Sequence, residues 1–254
     1  MINERLGLVG VGLHGKTLEI GCGDGKFLGT CRANGLEGYG INPRSSELRD
    51  IEDRELRGVI VQGIGESLPF RDRAFDSVAS TSVLEHVISP EKVLLESVRV
   101  LNTNGILYIG APDYSKCFRE GHYGIRWFPM PKRLAKIYLI LRGKKGVELE
   151  YLDSLQFVTK RQITNVLQRQ NVRIVDLNIA LYRSVHKDAR NYFLERIENP
   201  SKLRTPFLRK VMAFFIWTGL SKPTICSLAQ MVYLPVLRLK TMFSPQINLL
   251  VSRE

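Results

Sequence analysis

Residues 17–27 read TLEIGCGDGKF. An apolar strand pattern ends at Ile20, glycines occupy positions 21, 23 and 25, and a helical pattern begins at Lys26. Glycine lets a backbone turn tightly and approach a ligand closely. The helix would then direct the positive end of its dipole at that ligand. The stretch therefore predicts a strand, a binding turn and a helix, which begin an α/β fold.

The acidic and basic residues of this turn narrow the class of ligand. A dinucleotide fingerprint would place a glycine at position 26, where this chain has Lys26. Glu19 precedes the glycines, and a carboxylate there favours a ligand with an ammonium or sulfonium group. The turn predicts a smaller, cationic cofactor.

Four further apolar runs follow, at residues 38–41, 59–61, 75–79 and 106–109, and helical patterns separate them. Before the last run, Ser89 is a predicted N-cap, Pro90 and Glu91 begin a helix, and residues 102–105 end it. Such alternation predicts a parallel sheet covered by helices on both faces.

Residues 18–27 resemble the first motif of the class I S-adenosylmethionine-dependent methyltransferases. Residues 65–70 (GESLPF), 74–78 (AFDSV) and 82–87 (SVLEHV) agree with that family in order and spacing, as does Arg99-Val100-Leu101 followed by Gly105. The resemblance covers roughly residues 17–112. It implies an α/β, Rossmann-like, seven-stranded mixed sheet, mostly parallel with an antiparallel last strand, and S-adenosylmethionine as the cofactor.

The resemblance also implies which residues hold the cofactor. Those expected around its methionine part are Glu19, Gly21, Cys22, Gly23, Gly25, Ser80 and Ser82; those expected around the ribose and adenine are Asn42, Gly65 and Glu66. Two positions depart from the family: Asn42 replaces an acid that binds the ribose hydroxyls, and Ile64 replaces an aspartate that binds the adenine amino group. Each lost charge-assisted hydrogen bond costs on the order of 1.5–3 kcal/mol, or roughly ten- to hundredfold in affinity.

The positive charge of the chain lies in its second half. Residues 1–110 contain 12 lysines and arginines against 15 aspartates and glutamates, whereas residues 111–254 contain 25 against 10. A basic surface suggests an anionic partner, although a solvated basic face without a partner has the same composition.

After residue 112 the pattern changes. Thr159 and Gln162 form a predicted capping box, residues 172–180 and 247–251 are predicted strands, and the last strand should run antiparallel. We expect one domain over residues 1–254, with helical, basic insertions at 112–158 and 181–245 that cap the site. Because the chain begins close to its first strand, we expect this cap to close the cofactor pocket.

The two insertions each leave alternatives open. Residues 121–134 interleave aromatic and basic side chains, which predicts either a grip on an anionic, partly apolar acceptor or a basic helix over the core. Residues 211–220 are apolar and flanked by lysines, which predicts either a segment at an anionic membrane interface or a core helix. No module for specific nucleic-acid binding is recognisable.

Three residues are candidate bases for methyl transfer to oxygen: His122, His86 and Asp113. His86 follows the fourth predicted strand, His122 lies in the first insertion, and Asp113 follows the fifth predicted strand. A structural role at a helix start is the alternative for His86. The four cysteines are scattered, and no metal site is expected.

We therefore expect methyl transfer from S-adenosylmethionine to a small or lipid-linked acceptor, for example a sugar or a polyprenyl-type molecule. The alternative is a non-catalytic scaffold with this fold at a membrane surface. The departures from the family at Asn42 and Ile64 favour the scaffold hypothesis, whereas the intact turn from Glu19 to Gly25 is evidence against it. The expected location is the cytoplasm, or the inner face of its membrane.

Overall fold

The computed structural model describes residues 2–7, 10–44, 54–187 and 246–253. Contacts between Cα atoms divide the chain into two compact units, one made of residues 1–177 and 244–254 and the other of residues 178–243. Of the second unit, the described part is the helical segment 178–187. The predicted membrane or core segment 211–220, and most of the predicted insertion 181–245, lie outside the described residues.

Seven strands form the main sheet of the first unit. They are β1 (Lys16–Ile20), β2 (Glu37–Asn42), β3 (Ile60–Gln62), β4 (Phe75–Thr81), β5 (Leu101–Pro112), β8 (Val172–Asp176) and β9 (Gln246–Arg253), in the spatial order β3-β2-β1-β4-β5-β9-β8. Strands β1 to β5 pair in parallel, while β9 runs antiparallel to both β5 and β8. The predicted seven-stranded mixed sheet is confirmed.

Helices connect β1 to β2, β2 to β3 and β4 to β5, whereas residues 63–74, between β3 and β4, form no helix. In chain order the helices are α1 (Ile2–Gly7), α2 (Lys26–Ala33), α3 (Arg54–Gly58), α4 (Pro90–Val100), α5 (Lys132–Leu141), α6 (Val147–Ser154), α7 (Lys160–Leu167) and α8 (Leu177–Lys187). The start of α4 follows the prediction, since Ser89 Oγ accepts a hydrogen bond from the Lys92 N–H and Pro90 is the first helical residue. The predicted capping box between Thr159 and Gln162 begins α7.

The hydrophobic core lies between the central strands and helices α4 and α7, which pack against each other. The strand residues that face it are fully buried, among them Leu18, Ile20, Val78, Leu107, Ile109 and Val251. Near-continuous apolar runs of this kind are expected for parallel strands that have both faces covered. The core therefore holds the carboxyl ends of β1, β2 and β4 in fixed relative positions.

The predicted end of α4 at residues 102–105 is an irregularity at the start of β5. Phe75 pairs with Leu101 but Ser77 pairs with Ile106, so β5 has extra residues at this point. Asn104 has a left-handed φ of 63°, and a Cβ at Gly105 would lie 3.0 Å from the Asp76 carbonyl oxygen. The segment therefore turns the chain directly from α4 into the strand.

One predicted strand is too long. The sequence predicts extended structure over 172–180, but β8 ends at Asp176 and α8 begins at Leu177. Asp176 forms an ion pair with Lys160 at the start of α7, at an Nζ–Oδ2 distance of 2.8 Å. An apolar run of this length fits a strand or a buried helix equally well, and the pairing partner decides between them.

Residues 112–158, the first predicted insertion, form a hairpin and two helices within the first unit. Strand β6 (Phe118–Glu120) pairs antiparallel with β7 (Ile125–Trp127), and α5 packs on α6. Trp127, Tyr114 and Phe157 form an aromatic cluster, in which the rings of Tyr114 and Phe157 stack with centroids 4.8 Å apart. This segment therefore joins the main core, and its role as a cap stays a prediction.

Candidate active site

The glycine turn after β1 has the left-handed backbone that its sequence predicts. Gly21, Gly23 and Gly25 have φ values of 72°, 48° and 76°. A Cβ at Gly21 would lie 2.4 Å from a methyl group of Val83, whereas a Cβ at Gly23 would meet no atom within 4 Å. The N–H of Gly21 donates to the Ile41 carbonyl oxygen at 2.9 Å. The turn is thus tied to the end of β2 and leaves open space beside Gly23.

A cavity of about 560 Å³ lies at this open space, at the carboxyl ends of the parallel strands. Ligands bind at this edge in open α/β sheets, in cavities of about this size. Six of the ten predicted cofactor-binding residues line it: Gly21, Gly23, Asn42, Gly65, Glu66 and Ser82. The structure therefore brings together residues from four loops that the sequence separates.

The other four predicted residues, Glu19, Cys22, Gly25 and Ser80, do not line the cavity. Cys22 packs against Leu28, and Gly25 is the N-cap residue of α2. Ser80 is buried, and its hydroxyl has no hydrogen-bond partner within the described ranges.

Glu19 is partly buried, and one oxygen of its carboxylate lacks a partner among the described residues. Its Oε2 atom is shielded from solvent and makes no hydrogen bond to any residue the structure describes. Burial, with a smaller contribution from the negative charge of Asp24, raises the pKa of Glu19 from 4.5 to about 8. A buried anionic group without a partner is costly, so a cation close to this carboxylate would be stabilised.

Asn42 occupies the end of β2, where the sequence predicts contact with a ribose. It is buried, its Nδ2 donates to the Gly23 carbonyl oxygen at 3.3 Å, and its Oδ1 accepts from the Arg44 N–H at 3.0 Å. The amide therefore links the end of β2 to the glycine turn as well as lining the cavity.

An apolar residue lines the cavity at the position where the family has an aspartate that binds the adenine amino group. Ile64 is 49% exposed and lines the cavity, next to Gly65. Glu66 also lines it, and its Oε1 accepts hydrogen bonds from the N–H groups of Ile88 and Ser89 at 2.8 and 3.3 Å. Glu66 therefore fixes the loop that precedes α4.

A cluster of histidine and tyrosine rings lies beside the cavity. His86 and Tyr151 line the cavity itself, and His122 packs edge-on against His86 with ring centroids 4.9 Å apart. The Tyr151 hydroxyl lies 3.3 Å from His86 Nδ1. These side chains come from the loop after β4, from the turn of the β6–β7 hairpin and from α6. Two of the three predicted base candidates thus meet at the cavity.

Glu120 orients one of these histidines. Its Oε1 lies 2.5 Å from His122 Nδ1, and its Oε2 accepts the Tyr123 N–H at 2.9 Å. The Tyr114 hydroxyl donates to Oε1 at 3.4 Å. A carboxylate can only accept, so His122 Nδ1–H donates to Glu120 and Nε2 keeps its lone pair. The arrangement can accept a proton at Nε2 of His122.

The pKa values of the neighbouring Glu85 and His86 are both shifted in the direction that favours the uncharged form. Burial raises the pKa of Glu85 from 4.5 to about 7, and Glu85 is 2% exposed with one carboxylate oxygen lacking a partner in the described structure. Burial also lowers the pKa of His86, and the positive charge of Arg44 lowers it further. An uncharged His86 thus packs beside His122.

Asp113, the third predicted base, lies away from the cavity. It is buried, and its Oδ1 accepts hydrogen bonds from the N–H and the hydroxyl of Ser115. The sequence reasoning did not identify Glu120, Tyr151 or the cavity residue Arg44. Nothing in the spacing of Glu120 and Tyr151 marks them, because the hairpin and α6 bring them to the site only in the folded chain, whereas Arg44 follows the end of β2, two residues after Asn42.

The structure adds two negative findings for the ranges it describes. Those residues contain no cluster of three or more histidine, cysteine, aspartate or glutamate side chains arranged to hold a metal ion. None of the helices in the same ranges has the length and hydrophobicity needed to cross a bilayer.

Comparisons with known proteins point to one family. Residues 18–109 match the family described as methyltransferase domain. An uncharacterised protein of Methanocaldococcus jannaschii is 33% identical over 138 residues, which cover 53% of this chain and 62% of that protein. An uncharacterised methyltransferase of Mycobacterium sp. strain JLS is 34% identical over 128 residues, 50% of this chain and 51% of that protein. The chain thus spans between half and two thirds of these relatives.

Solved structures share the fold. The YcgJ protein of Bacillus subtilis has a TM-score of 0.51 and 14% identity, over 99% of this chain and 98% of that one. A Galdieria sulphuraria protein, provisionally named a sarcosine dimethylglycine methyltransferase, has a TM-score of 0.52 and 14% identity, over 100% and 83% of the two chains.

The glycine-turn motif, the order of the strands, the position of the cavity and the family match all indicate the same family. Residues 18–109 therefore belong to the methyltransferase domain family of the class I, Rossmann-like kind, whose cofactor is S-adenosylmethionine.

Proposed function

We propose that the chain transfers the methyl group of S-adenosylmethionine to a hydroxyl oxygen of an acceptor that enters beside His122. The observation that carries the proposal is the Glu120–His122 pair, which lies against the cavity-lining His86 and presents a basic ring nitrogen. A hydroxyl is the acceptor that needs such a base, since its proton must leave as the new bond forms.

The residues present fit the cofactor. Gly21 and Gly23 would hold its methionine part, because both line the cavity and Gly23 has open space beside it. The unpartnered Glu19 carboxylate would offset a nearby positive charge. Asn42 would contact the ribose, and Ile64 with Gly65 would cover the adenine through apolar and backbone contacts.

When bound, S-adenosylmethionine supplies an electrophilic methyl carbon on a sulfonium. His122 Nε2 would take the proton of the acceptor hydroxyl as the methyl group is transferred to the acceptor oxygen. Glu120 then faces an imidazolium and stabilises it. Holding the acceptor in line can contribute about 7–11 kcal/mol, and the base a further 10²–10⁴-fold in rate, by general estimates for such effects.

The acceptor is a small or lipid-linked molecule with an anionic group. The basic balance of residues 111–254 supports this class, as does the aromatic and basic composition of residues 112–158. Tyr151, which lines the cavity, belongs to that segment.

Cofactor binding is tested with Gly23→Arg. A side chain at position 23 would extend into the cavity, so we expect calorimetric titration to show S-adenosylmethionine and S-adenosylhomocysteine binding to the native chain and not to this variant. Gly35→Arg is the matched control: Gly35 also has a left-handed φ, 75°, is exposed and has open space at its Cβ, but does not line the cavity.

Equal binding by the native chain and Gly23→Arg would contradict the placement of the cofactor. A folded native chain that binds neither ligand would instead favour the non-catalytic scaffold, with Asn42 and Ile64 as the reason.

The base is tested with His122→Gln in an acceptor screen that measures S-adenosylhomocysteine release. Glutamine preserves polarity but cannot take a proton, so turnover should fall by about 10²–10⁴-fold while cofactor affinity stays constant. Turnover that does not depend on His122 would point to an acceptor that needs no base.

A further inference from the structure

The outer face of the β6–β7 hairpin carries two arginines side by side. Arg119 and Arg126 are directly opposite each other in the antiparallel register, so their side chains share one face, and both residues are exposed. Like charges in this relation destabilise a strand pair. The hairpin therefore carries an electrostatic cost that a bound anion would remove.

Nothing in the described ranges neutralises these two charges. Neither guanidinium forms an ion pair or a hydrogen bond with any residue that the structure describes. The adjacent acid, Glu120, is 1% exposed and faces the opposite side of the hairpin, where it binds His122 and the Tyr123 N–H. The positive charge of this face is thus available to a ligand.

A groove of about 640 Å³ lies over the pair. It is lined by Cys117, Phe118, Arg119, Gly124, Arg126 and Phe128. Phe128 is 42% exposed, and its ring is supported edge-on by Tyr138, whose hydroxyl donates to the Arg126 carbonyl oxygen at 2.9 Å. The groove therefore combines two guanidinium groups with a fixed aromatic wall.

We propose that this groove binds the phosphate or diphosphate group of an organic molecule whose ring or hydrocarbon part contacts Phe128. Guanidinium groups bind phosphate oxygens in bidentate geometry, and the open groove admits a group larger than an inorganic ion. The inference goes beyond the proposed function, because the groove lies on the face of the hairpin opposite the one where Glu120 binds His122.

The test uses the full chain without S-adenosylmethionine, and phenyl phosphate as the probe. We expect calorimetric binding of phenyl phosphate, tighter than that of inorganic phosphate, and about a tenfold loss of affinity in Arg119→Gln and in Arg126→Gln. Phe128→Ala should remove the preference for phenyl phosphate. Arg161→Gln, which changes one exposed arginine on α7 outside the groove, is the control and should leave binding unchanged.

Cys117 gives a second readout of the same site. It is exposed and lines the groove, whereas Cys22 and Cys31 are buried. The fourth cysteine, Cys226, lies outside the described residues and is replaced by serine so that alkylation reports on Cys117. In this Cys226→Ser background, phenyl phosphate should slow the alkylation of Cys117 when the groove is otherwise native. It should not slow it in the Arg119→Gln, Arg126→Gln double variant. Binding that the double variant retains, or alkylation that the probe never slows, would overturn the proposal.

Vesicles distinguish a soluble phosphate ester from a lipid headgroup. Sedimentation with vesicles of equal parts phosphatidylcholine and phosphatidic acid, lost in the double variant, would assign the groove to a lipid phosphate. Binding of phenyl phosphate alone would assign it to a soluble ester, and binding of neither would refute the site. Because no cofactor is present, these results are independent of whether the cavity binds S-adenosylmethionine.

Discussion

At the residue scale, two glutamates near the cavity, the partly buried Glu19 and the buried Glu85, keep their protons to higher pH than an exposed carboxyl group does. In both cases burial is the largest cause, because a charged carboxylate loses its hydration when it enters the protein. The sequence predicts a special role for Glu19, since it precedes the glycine turn. It gives no such indication for Glu85, which residues 112–158 contact: the Gln156 N–H donates to the Glu85 carbonyl oxygen at 2.7 Å.

Replacing Glu19 should change how stability depends on pH. The pKa is 4.5 in the unfolded chain and about 8 in the folded chain, so between these values the folded state holds a proton that the unfolded state has released. The free energy of unfolding therefore falls as pH rises through this window and levels off above it. Glu19→Gln should flatten that slope, which urea denaturation between pH 5 and pH 9, an interval of about that width, would measure.

Glu150→Gln is the control for this comparison, because Glu150 is an exposed glutamate on α6. It should leave the pH profile of the native chain unchanged. A Glu19→Gln profile parallel to that of the native chain would show that Glu19 ionises in the folded state as it does in water.

At the element scale, the clearest signals in the sequence are those at helix ends. Thr159 Oγ1 accepts the Gln162 N–H at 3.3 Å, and Gln162 Oε1 accepts the Thr159 N–H at 2.9 Å, so both halves of the predicted capping box are present. The signal is reliable because both partners lie within one turn and need no distant contact. The end of β8 has no such local signal, and its prediction was wrong by four residues.

Removing the cap of α7 should destabilise the fold. Thr159→Ala leaves the first N–H groups of the helix without a partner, and we expect a loss of about 1 kcal/mol, or roughly 2–4 °C in the melting temperature. Thr164→Ala removes the same atoms from the middle of the helix, where the hydroxyl donates only to carbonyl groups of the preceding turn. Equal losses in the two variants, measured by thermal melts, would show that the capping interaction contributes nothing.

At the scale of the whole molecule, one sheet joins elements from both ends of the chain. Strand β9 lies between β5 and β8, and the Tyr108 hydroxyl donates to Asn248 Oδ1 at 2.8 Å across 140 positions. Arg253 donates to the carbonyl oxygens of Val98 and Leu101 at 2.9 and 3.0 Å, which ties the last strand to the end of α4. These contacts fix the order of the strands on the antiparallel side of the sheet.

The sequence by itself determined the strand–turn–helix unit around Gly21 to Gly25, the parallel strands, the capped helices and the family, because each rests on neighbours within a few residues or on motifs in register. Only the tertiary structure decided which acids are buried, that Glu120 orients His122, that Tyr151 lines the cavity, and that Arg119 and Arg126 share a groove. These features depend on contacts between residues far apart in the chain, and burial and charge pairing arise from those contacts rather than from local pattern.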